Sequence, residues 1–232
     1  MVDEFRLDRD FFCQDLYLIV EGVQYKVLRK DFENNSPVFR RVLGNTDDGG
    51  TLANPLALSD VKREELHPLL QVLYPKYVPI SLKSLATQAY PSRYYGTPPN
   101  LTRTEWVSVM RLSSKWGMEP IRSLANDALR TIITDDPVLA ICLARDCGLD
   151  HWIKPAVTNL VKRQRSLAPN EIRALGDEYS SRICKIREMA IDIIALRGDV
   201  YDCRRNLLIL PHRCNVDFTS LIDYEFPSVN QN

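Results

Sequence analysis

The stretch DLYLIVEGVQYKVL, residues 15–28, decides the fold because it has the pattern of a β-hairpin. Its first arm is apolar on both faces, as in a buried strand: Leu16, Tyr17, Leu18, Ile19 and Val20. Glu21 and Gly22 follow, and glycine tolerates the positive φ that a two-residue hairpin turn needs. Residues 23–27 then return as the second arm.

A short helix and a third strand are predicted after the hairpin. Asn35-Ser36 provides a cap, Pro37 suits the first turn of a helix, and Gly44 ends the apolar pattern. Gly49-Gly50 is expected to be simply a turn. The apolar run PLAL at 55–58 indicates a short third strand.

The next segment, residues 59–75, predicts an amphipathic helix. Its apolar residues fall at i, i+3, i+4, i+7 and i+8 on one helical face: Leu66, Leu69, Leu70, Leu73 and Tyr74. Pro68 lies within this pattern, so we expect either a late helix start or a kink there. The predicted core comprises Leu16, Leu18, Val27, Leu66, Leu70 and Leu73. Arg63 falls on the opposite, charged side.

Residues 75–101 differ in composition and are rich in proline and tyrosine. They offer no periodic apolar face, and their prolines remove backbone donors. We expect a long insert loop here, and expect it to be the least ordered internal segment.

Helices are predicted over most of the remaining chain. Thr102 and Glu105 form a possible capping box, and Gly117 ends that helix. Further helices are expected from Pro120, from Asp136-Pro137 and from Asp150. The last covers 177–197, where apolar residues are spaced 4, 3, 4, 3: Tyr179, Ile183, Ile186, Ala190 and Ile193. That stripe is either one face of a packed helix or a short coiled-coil seam.

Composition indicates a soluble globular protein. Lys plus Arg number 30 and Asp plus Glu number 30, so no net charge draws the chain to nucleic acid or to an anionic membrane. No apolar run approaches the ~20 residues that span a bilayer, and the charged N-terminus lacks a signal core. We therefore expect a cytoplasmic or nuclear location and six free thiols, at positions 13, 142, 147, 184, 203 and 214.

Residues that could carry chemistry are sparse. Cys203, His212 and Cys214 form a loose cluster that would suit zinc only if Cys184 joined it, and free thiols are the simpler interpretation. Phosphate-loop, nucleophile-elbow and His-Glu-x-x-His motifs are absent from the sequence. We therefore expect no enzymatic activity, no catalytic residue, no cofactor and no metal. The basic run KRQR at 162–165 suits a helix C-terminus or, less well, a nucleic-acid patch.

Two blocks of the sequence resemble a known family. DLYLIVEGVQYKVLRKDFENNSPVFRRVL resembles the BTB/POZ signature of an Asp, an apolar strand, a glycine turn and a Ser-x-x-Phe helix. LSDVKREELHPLLQVLY resembles the second block of the family, and WVSVMRLSSKWGMEPIRSLANDAL its closing helical pair. The chain looks most like uncharacterised fungal BTB-domain proteins, and residues 136–175 resemble the helical BACK extension.

The resemblance implies an α+β fold: a small three-stranded sheet clustered with helices, followed by an all-helical extension. The expected domains are 1–133 (BTB/POZ-like), 134–198 (BACK-like) and 199–232 (an irregular tail). The implied role is protein–protein interaction, as an adaptor for a cullin-type ubiquitin-ligase scaffold. The alternative is a self-associating structural or regulatory protein. Arg63, Tyr74 and Tyr77 are the candidate interaction residues.

Overall fold

A computed structural model describes residues 14–44, 49–74, 99–196 and 217–227. Backbone contacts divide the chain into two compact units, Met1–Leu129 and Arg130–Asn232. Most of the predicted insert loop, the candidate Tyr77 and the cluster of Cys203, His212 and Cys214 lie outside the described residues.

The first unit opens with the predicted hairpin. Strand β1 (Asp15–Val20) pairs antiparallel with β2 (Val23–Leu28), and Val20 lies opposite Val23. Glu21 and Gly22 have φ values of 48° and 75°. Two positive values are the mark of a type I′ turn, whose twist matches that of the strands it joins. The hairpin prediction is therefore confirmed.

A third strand completes a mixed sheet. Strand β3 (Leu56–Ala57) pairs parallel with β1, with Leu56 opposite Leu18, and the strand order is β2-β1-β3. Alternate residues of β1 point into the core, so Leu16, Leu18 and Val20 have no exposed surface. The α+β prediction is confirmed, with β1 as the central strand.

Gly50 does more than make the turn expected of it. Its carbonyl accepts a hydrogen bond from Tyr17 N at 2.8 Å, and its amide donates to Asn54 O at 2.9 Å. Its φ is 78°, and a Cβ at this position would overlap Leu16 Cδ1. The expectation of a simple turn is therefore incomplete, because Gly50 ties the loop to β1 and packs on the core.

We predict that Gly50→Ala lowers the stability of the first unit by roughly 1–3 kcal/mol, the usual cost of overpacking a core. The positive φ adds strain for any residue with a Cβ. Urea unfolding followed by circular dichroism measures the loss. Gly44→Ala is the control, since a Cβ there would meet no atom within 4 Å, and equal midpoints for the two variants would contradict the prediction.

Two short helices meet at a buried serine. Helix α1 spans Arg29–Asn35 and α2 spans Pro37–Gly44, with Ser36 between them. The Ser36 hydroxyl accepts a hydrogen bond from Phe39 N at 3.1 Å and donates one to Trp116 O at 2.5 Å. The predicted cap is confirmed, and the same side chain also fixes a residue 80 positions further along the chain.

Helix α3 (Arg63–Leu73) corrects two expectations. It begins before Pro68 and continues through it, so a late start is wrong. Its buried leucines are Leu66, Leu69 and Leu73, whereas Leu70 is only half-buried. Helix α4 (Arg103–Trp116) packs against α3. Leu70 lies about 100° around the helix from Leu69, which has no exposed surface.

Helices α4 and α5 complete the first unit. The capping box of Thr102 and Glu105 is confirmed, with Glu105 N donating to Thr102 Oγ1 at 3.3 Å and Thr102 N donating to Glu105 Oε2 at 2.7 Å. Gly117 ends α4 with a φ of 64° and touches Pro37 closely, since a Cβ there would lie 3.0 Å from Pro37 Cγ. Helix α5 spans Glu119–Ala128.

The described residues of the second unit form helices joined by turns and short loops, without a strand. Its elements are α6 (Ile132–Asp135), α7 (Pro137–Cys147), α8 (Asp150–Lys162), α9 (Pro169–Leu196) and α10 (Phe218–Glu225). Helix α9 is broken at Gly176, whose φ is 79° and ψ 168°. Its residues Ile183, Ile186 and Ala190 are completely buried, which identifies the 4-3-4-3 stripe as a packed face.

The predicted irregular tail is wrong at α10, which forms within it. The predicted 133/134 boundary lies four residues from the division between the two compact units. Among the helices that the structure describes, none is long and apolar enough to cross a membrane.

The basic run at 162–165 lies beside an acidic partner. Glu171 is almost buried. Its Oε2 lies 2.5 Å from Arg163 Nη2, and its Oε1 lies 2.9 Å from Arg165 Nη2. The hydrogen bond from Arg163 lowers the pKa of Glu171 to about 2, and the amide of Ala168 adds to the effect. These two arginines thus stabilise the turn between α8 and α9, which favours the structural interpretation over a nucleic-acid patch.

Candidate protein-interaction surface

An open cleft of about 580 Å³ lies in the first unit, where three elements meet. One wall is the hairpin, and the other two are the first two turns of α3 and of α4. Its lining residues are Glu21, Tyr25, Arg63, Glu64, His67, Pro68, Thr104, Glu105 and Ser108.

The hairpin turn is fixed to α3 through a carboxylate. Glu21 Oε2 accepts a hydrogen bond from Arg63 N at 3.0 Å, at the very start of α3. The N-cap residue of α3 is Lys62, which offers no side-chain acceptor. Glu21 therefore supplies from the hairpin the acceptor and the negative charge that a helix N-terminus favours. The cleft wall is held in place by this contact.

A second carboxylate is fixed in the same way at α4. Glu105 Oε2 accepts from Thr102 N, and this hydrogen bond holds the pKa of Glu105 below its usual range. The charge of His67, across the cleft on α3, has a smaller effect in the same direction. Glu105 is therefore ionised at neutral pH and points a charged oxygen at a defined place on the rim.

The cleft combines opposite charges rather than catalytic groups. Glu21, Glu64 and Glu105 carry negative charge, and Arg63 carries positive charge beside His67. His67 Nδ1 lies 3.1 Å from Gln71 Nε2, on its own helix, so the ring is oriented by α3. Fixed charges on an exposed concave surface suit recognition of a complementary charged peptide or protein.

The three candidate interaction residues do not come together. Arg63 lines the cleft and is exposed. Tyr74 lies at the other end of α3, about 16 Å away by the helical rise. Its hydroxyl accepts a hydrogen bond from Leu28 N at 3.2 Å, so it joins the end of α3 to β2. Tyr77 lies outside the described residues.

Glu21 and Glu105 were recognisable in the sequence only as a turn residue and a capping residue. Their spacing gives no sign that they converge with Arg63, because they are 42 positions away from it on either side. A local signal existed only at Glu105, which belongs to the capping box at the start of α4.

A second surface of the first unit is apolar. Val38 and Val42 lie one turn apart on α2, and 37% and 40% of their surfaces are exposed. The sequence suggested only that they extend a helix. Adjacent exposed valines offer a small contact area to another protein.

Metal-binding side chains do not cluster in the part of the chain that the structure describes: no three His, Cys, Asp or Glu residues there could hold an ion. Within the same part, no disulfide joins Cys142, Cys147 and Cys184 to one another.

Comparison with known proteins identifies the first unit. No curated protein matches the chain. A family model described as the BTB/POZ domain matches residues 3–131, which is more than half of the 232 residues and covers the sheet, α1 to α5 and the cleft. BTB/POZ domains are protein–protein interaction modules, generally non-enzymatic, and this chain belongs to the BTB/POZ domain family.

Proposed function

We propose that this protein is a non-enzymatic adaptor that binds a cullin-type ubiquitin-ligase scaffold, in the cytoplasm or nucleus. The contact surface is the cleft of the first unit, which we name the BTB cleft. The observation that carries the proposal is the set of fixed charges around the cleft. Two backbone amides hold Glu21 and Glu105, and Arg63 lines the same cleft at the start of α3. Charges held by the fold lose little freedom on binding, so they favour a specific partner.

We further infer that residues 134–198 act as a BACK-like extension of this adaptor. The inference rests on the resemblance of residues 136–175 to that extension and on the helical character of the second unit. In this arrangement the first unit binds the scaffold, and the second unit is free to carry another partner.

Reversal of the Arg63 charge tests the adaptor proposal. Arg63→Glu places an acidic residue in the first turn of α3, which the helix dipole favours, so the fold should be kept. The variant should bind a recombinant cullin at least tenfold more weakly than the wild type, measured by biolayer interferometry. Lys30→Glu is the matched control, since Lys30 is also an exposed basic residue in the first turn of a helix.

Binding of Lys30→Glu with wild-type affinity, together with the loss in Arg63→Glu, would support the proposal. A wild-type chain that does not bind the cullin would eliminate the adaptor role. Equal losses in both variants would show instead that the cleft is not the contact surface.

Self-association is the second candidate function, and the exposed pair of Val38 and Val42 favours it. In that case the wild-type chain should sediment as a dimer, and Val38→Ser/Val42→Ser should convert it to a monomer that keeps the circular dichroism spectrum of the wild type. Sedimentation velocity at several concentrations measures this, and a monomeric wild type would end the hypothesis.

A further inference from the structure

The C-terminal helix α10 owes its structure to docking. It has eight residues, which is shorter than the ~12–15 residues that an isolated helix needs for even marginal stability in water. Twenty-one residues of sequence (197–217) separate it from α9. It packs against α8 and α9, and these contacts supply the stability that the isolated helix would lack.

Three apolar residues anchor α10. Phe218, Ile222 and Phe226 are spaced by four, so they lie along one helical face, and each is at most 6% exposed. Phe226 also contacts the ring of Tyr179, with 5.5 Å between the ring centroids. The surface that receives them between α8 and α9 is here named the helix groove.

The charges of α10 complement those of the helix groove. Segment 217–227 contains three acidic residues and no basic one, while the facing positions of α8 and α9 include several basic side chains. Lys154 Nζ lies 2.5 Å from Asp223, and Lys185 Nζ lies 2.5 Å from Glu225.

Cations also stack on the aromatic rings of this segment. Each cationic group lies 5.5–5.9 Å from the centroid of the ring it covers. The pairs are Lys162 over Phe218, Arg182 over Phe226 and Lys185 over Tyr224. The groove therefore recognises apolar anchors, aromatic rings and acidic side chains together.

The groove extends beyond the anchors of α10. A cleft of about 380 Å³ lies at the C-terminal end of the helix, bordered by Phe226, Tyr179 and the first turn of α8. The Lys154–Asp223 pair is exposed on both sides, and exposed ion pairs contribute little to stability. The hold on α10 thus depends on three apolar anchors and on the Lys185–Glu225 pair, whose carboxylate is 9% exposed, over a helix of about two turns.

We propose that the helix groove is a binding site for an acidic amphipathic helix of a partner protein, and that α10 is its tethered occupant, displaced when the partner binds. The partner helix would carry apolar or aromatic residues at i, i+4 and i+8, with acidic residues facing Lys154 and Lys185. This site lies in the second unit and does not depend on the proposed use of the BTB cleft.

A fluorescein-labelled peptide of residues 217–227 tests the proposal on the full chain. In the wild type the peptide competes with a tethered copy at high effective concentration, so it should bind weakly. Ile222→Ala in the chain weakens the tethered helix and leaves the groove intact. Fluorescence anisotropy should then show the unmodified peptide binding at least tenfold more tightly.

A charge exchange establishes where the peptide binds. Adding Lys154→Glu to the Ile222→Ala chain should weaken peptide binding, and a peptide carrying Asp223→Lys should restore it. If Ile222→Ala disturbs the fold, Asp223→Lys in the chain is used in its place. This exposed substitution keeps all three anchors, and it should still tighten binding of the unmodified peptide about threefold.

Three results would overturn the proposal. The peptide could fail to bind either weakened chain, which would make α10 an integral part of the fold. It could bind regardless of Lys154→Glu, which would place it elsewhere. The wild-type chain could also sediment as a dimer that the peptide dissociates, in which case a second copy, rather than a partner protein, supplies the helix.

Discussion

Phe39→Ala should lower the free energy of unfolding of the first unit by about 3–5 kcal/mol, the usual range for loss of a buried phenylalanine. Phe39 is almost completely buried, and its ring contacts two others edge to face. The centroid distances are 4.9 Å to Phe32 and 5.0 Å to Trp116. Loss of the ring leaves a cavity at the point where α1, α2 and α4 meet. The expected loss is a large share of the ~5–15 kcal/mol that stabilises a typical domain.

Urea unfolding followed by far-ultraviolet circular dichroism measures the effect. Val38→Ala is the matched control, because Val38 is the preceding residue on the same helix and is 37% exposed. It should change stability by under ~0.5 kcal/mol. A Phe39→Ala midpoint within error of the Val38→Ala midpoint would show that the aromatic cluster does not hold the unit together.

Leu69→Ala should cost about 2–5 kcal/mol, the range for a buried leucine. Leu69 has no exposed surface, whereas its neighbour Leu70 is half-buried. Leu70→Ala removes the same atoms from the same helix, and should cost less because part of that side chain already contacts water.

The two leucine variants are compared by their urea midpoints at equal m-values. A larger loss for Leu70→Ala than for Leu69→Ala would mean that α3 is rotated about its axis relative to the structure described here. The pair thus tests the orientation of one helix rather than its existence.

Leu70 also shows where sequence periodicity stops being informative. The apolar residues of α3 form a stripe wide enough to include both Leu69 and Leu70, and periodicity places that stripe without saying which edge is covered. The covered edge depends on where α4 lies, and α4 begins 30 residues after the end of α3. Local signals were sufficient elsewhere: the Glu21-Gly22 turn, the Ser36 cap and the capping box at Thr102 each depend on residues a few positions apart.

The candidate sites could not be predicted from the sequence, because their residues come together only in the folded chain. Glu21, Arg63 and Glu105 meet because the hairpin, α3 and α4 bring their ends together, and no spacing in the sequence encodes that meeting. Helix α10 was missed for a related reason. Its eight residues have the 3.6-residue period, but they follow a segment without a clear apolar pattern, and their stability comes from α8 and α9.

The hydrogen bond from Ser36 to Trp116 has a consequence for the order of events on the ribosome. The hairpin, α1 and α2 are complete by Gly44, but the aromatic cluster needs Trp116, which is 72 residues later (116 − 44). At ~5–20 residues per second, translation takes roughly 4–14 s to cover that distance. Throughout this interval the nascent chain carries Phe32 and Phe39 without the ring of Trp116 that completes their cluster. Because these apolar side chains are not yet fully covered, this is the period in which we expect a chaperone to protect the emerging chain.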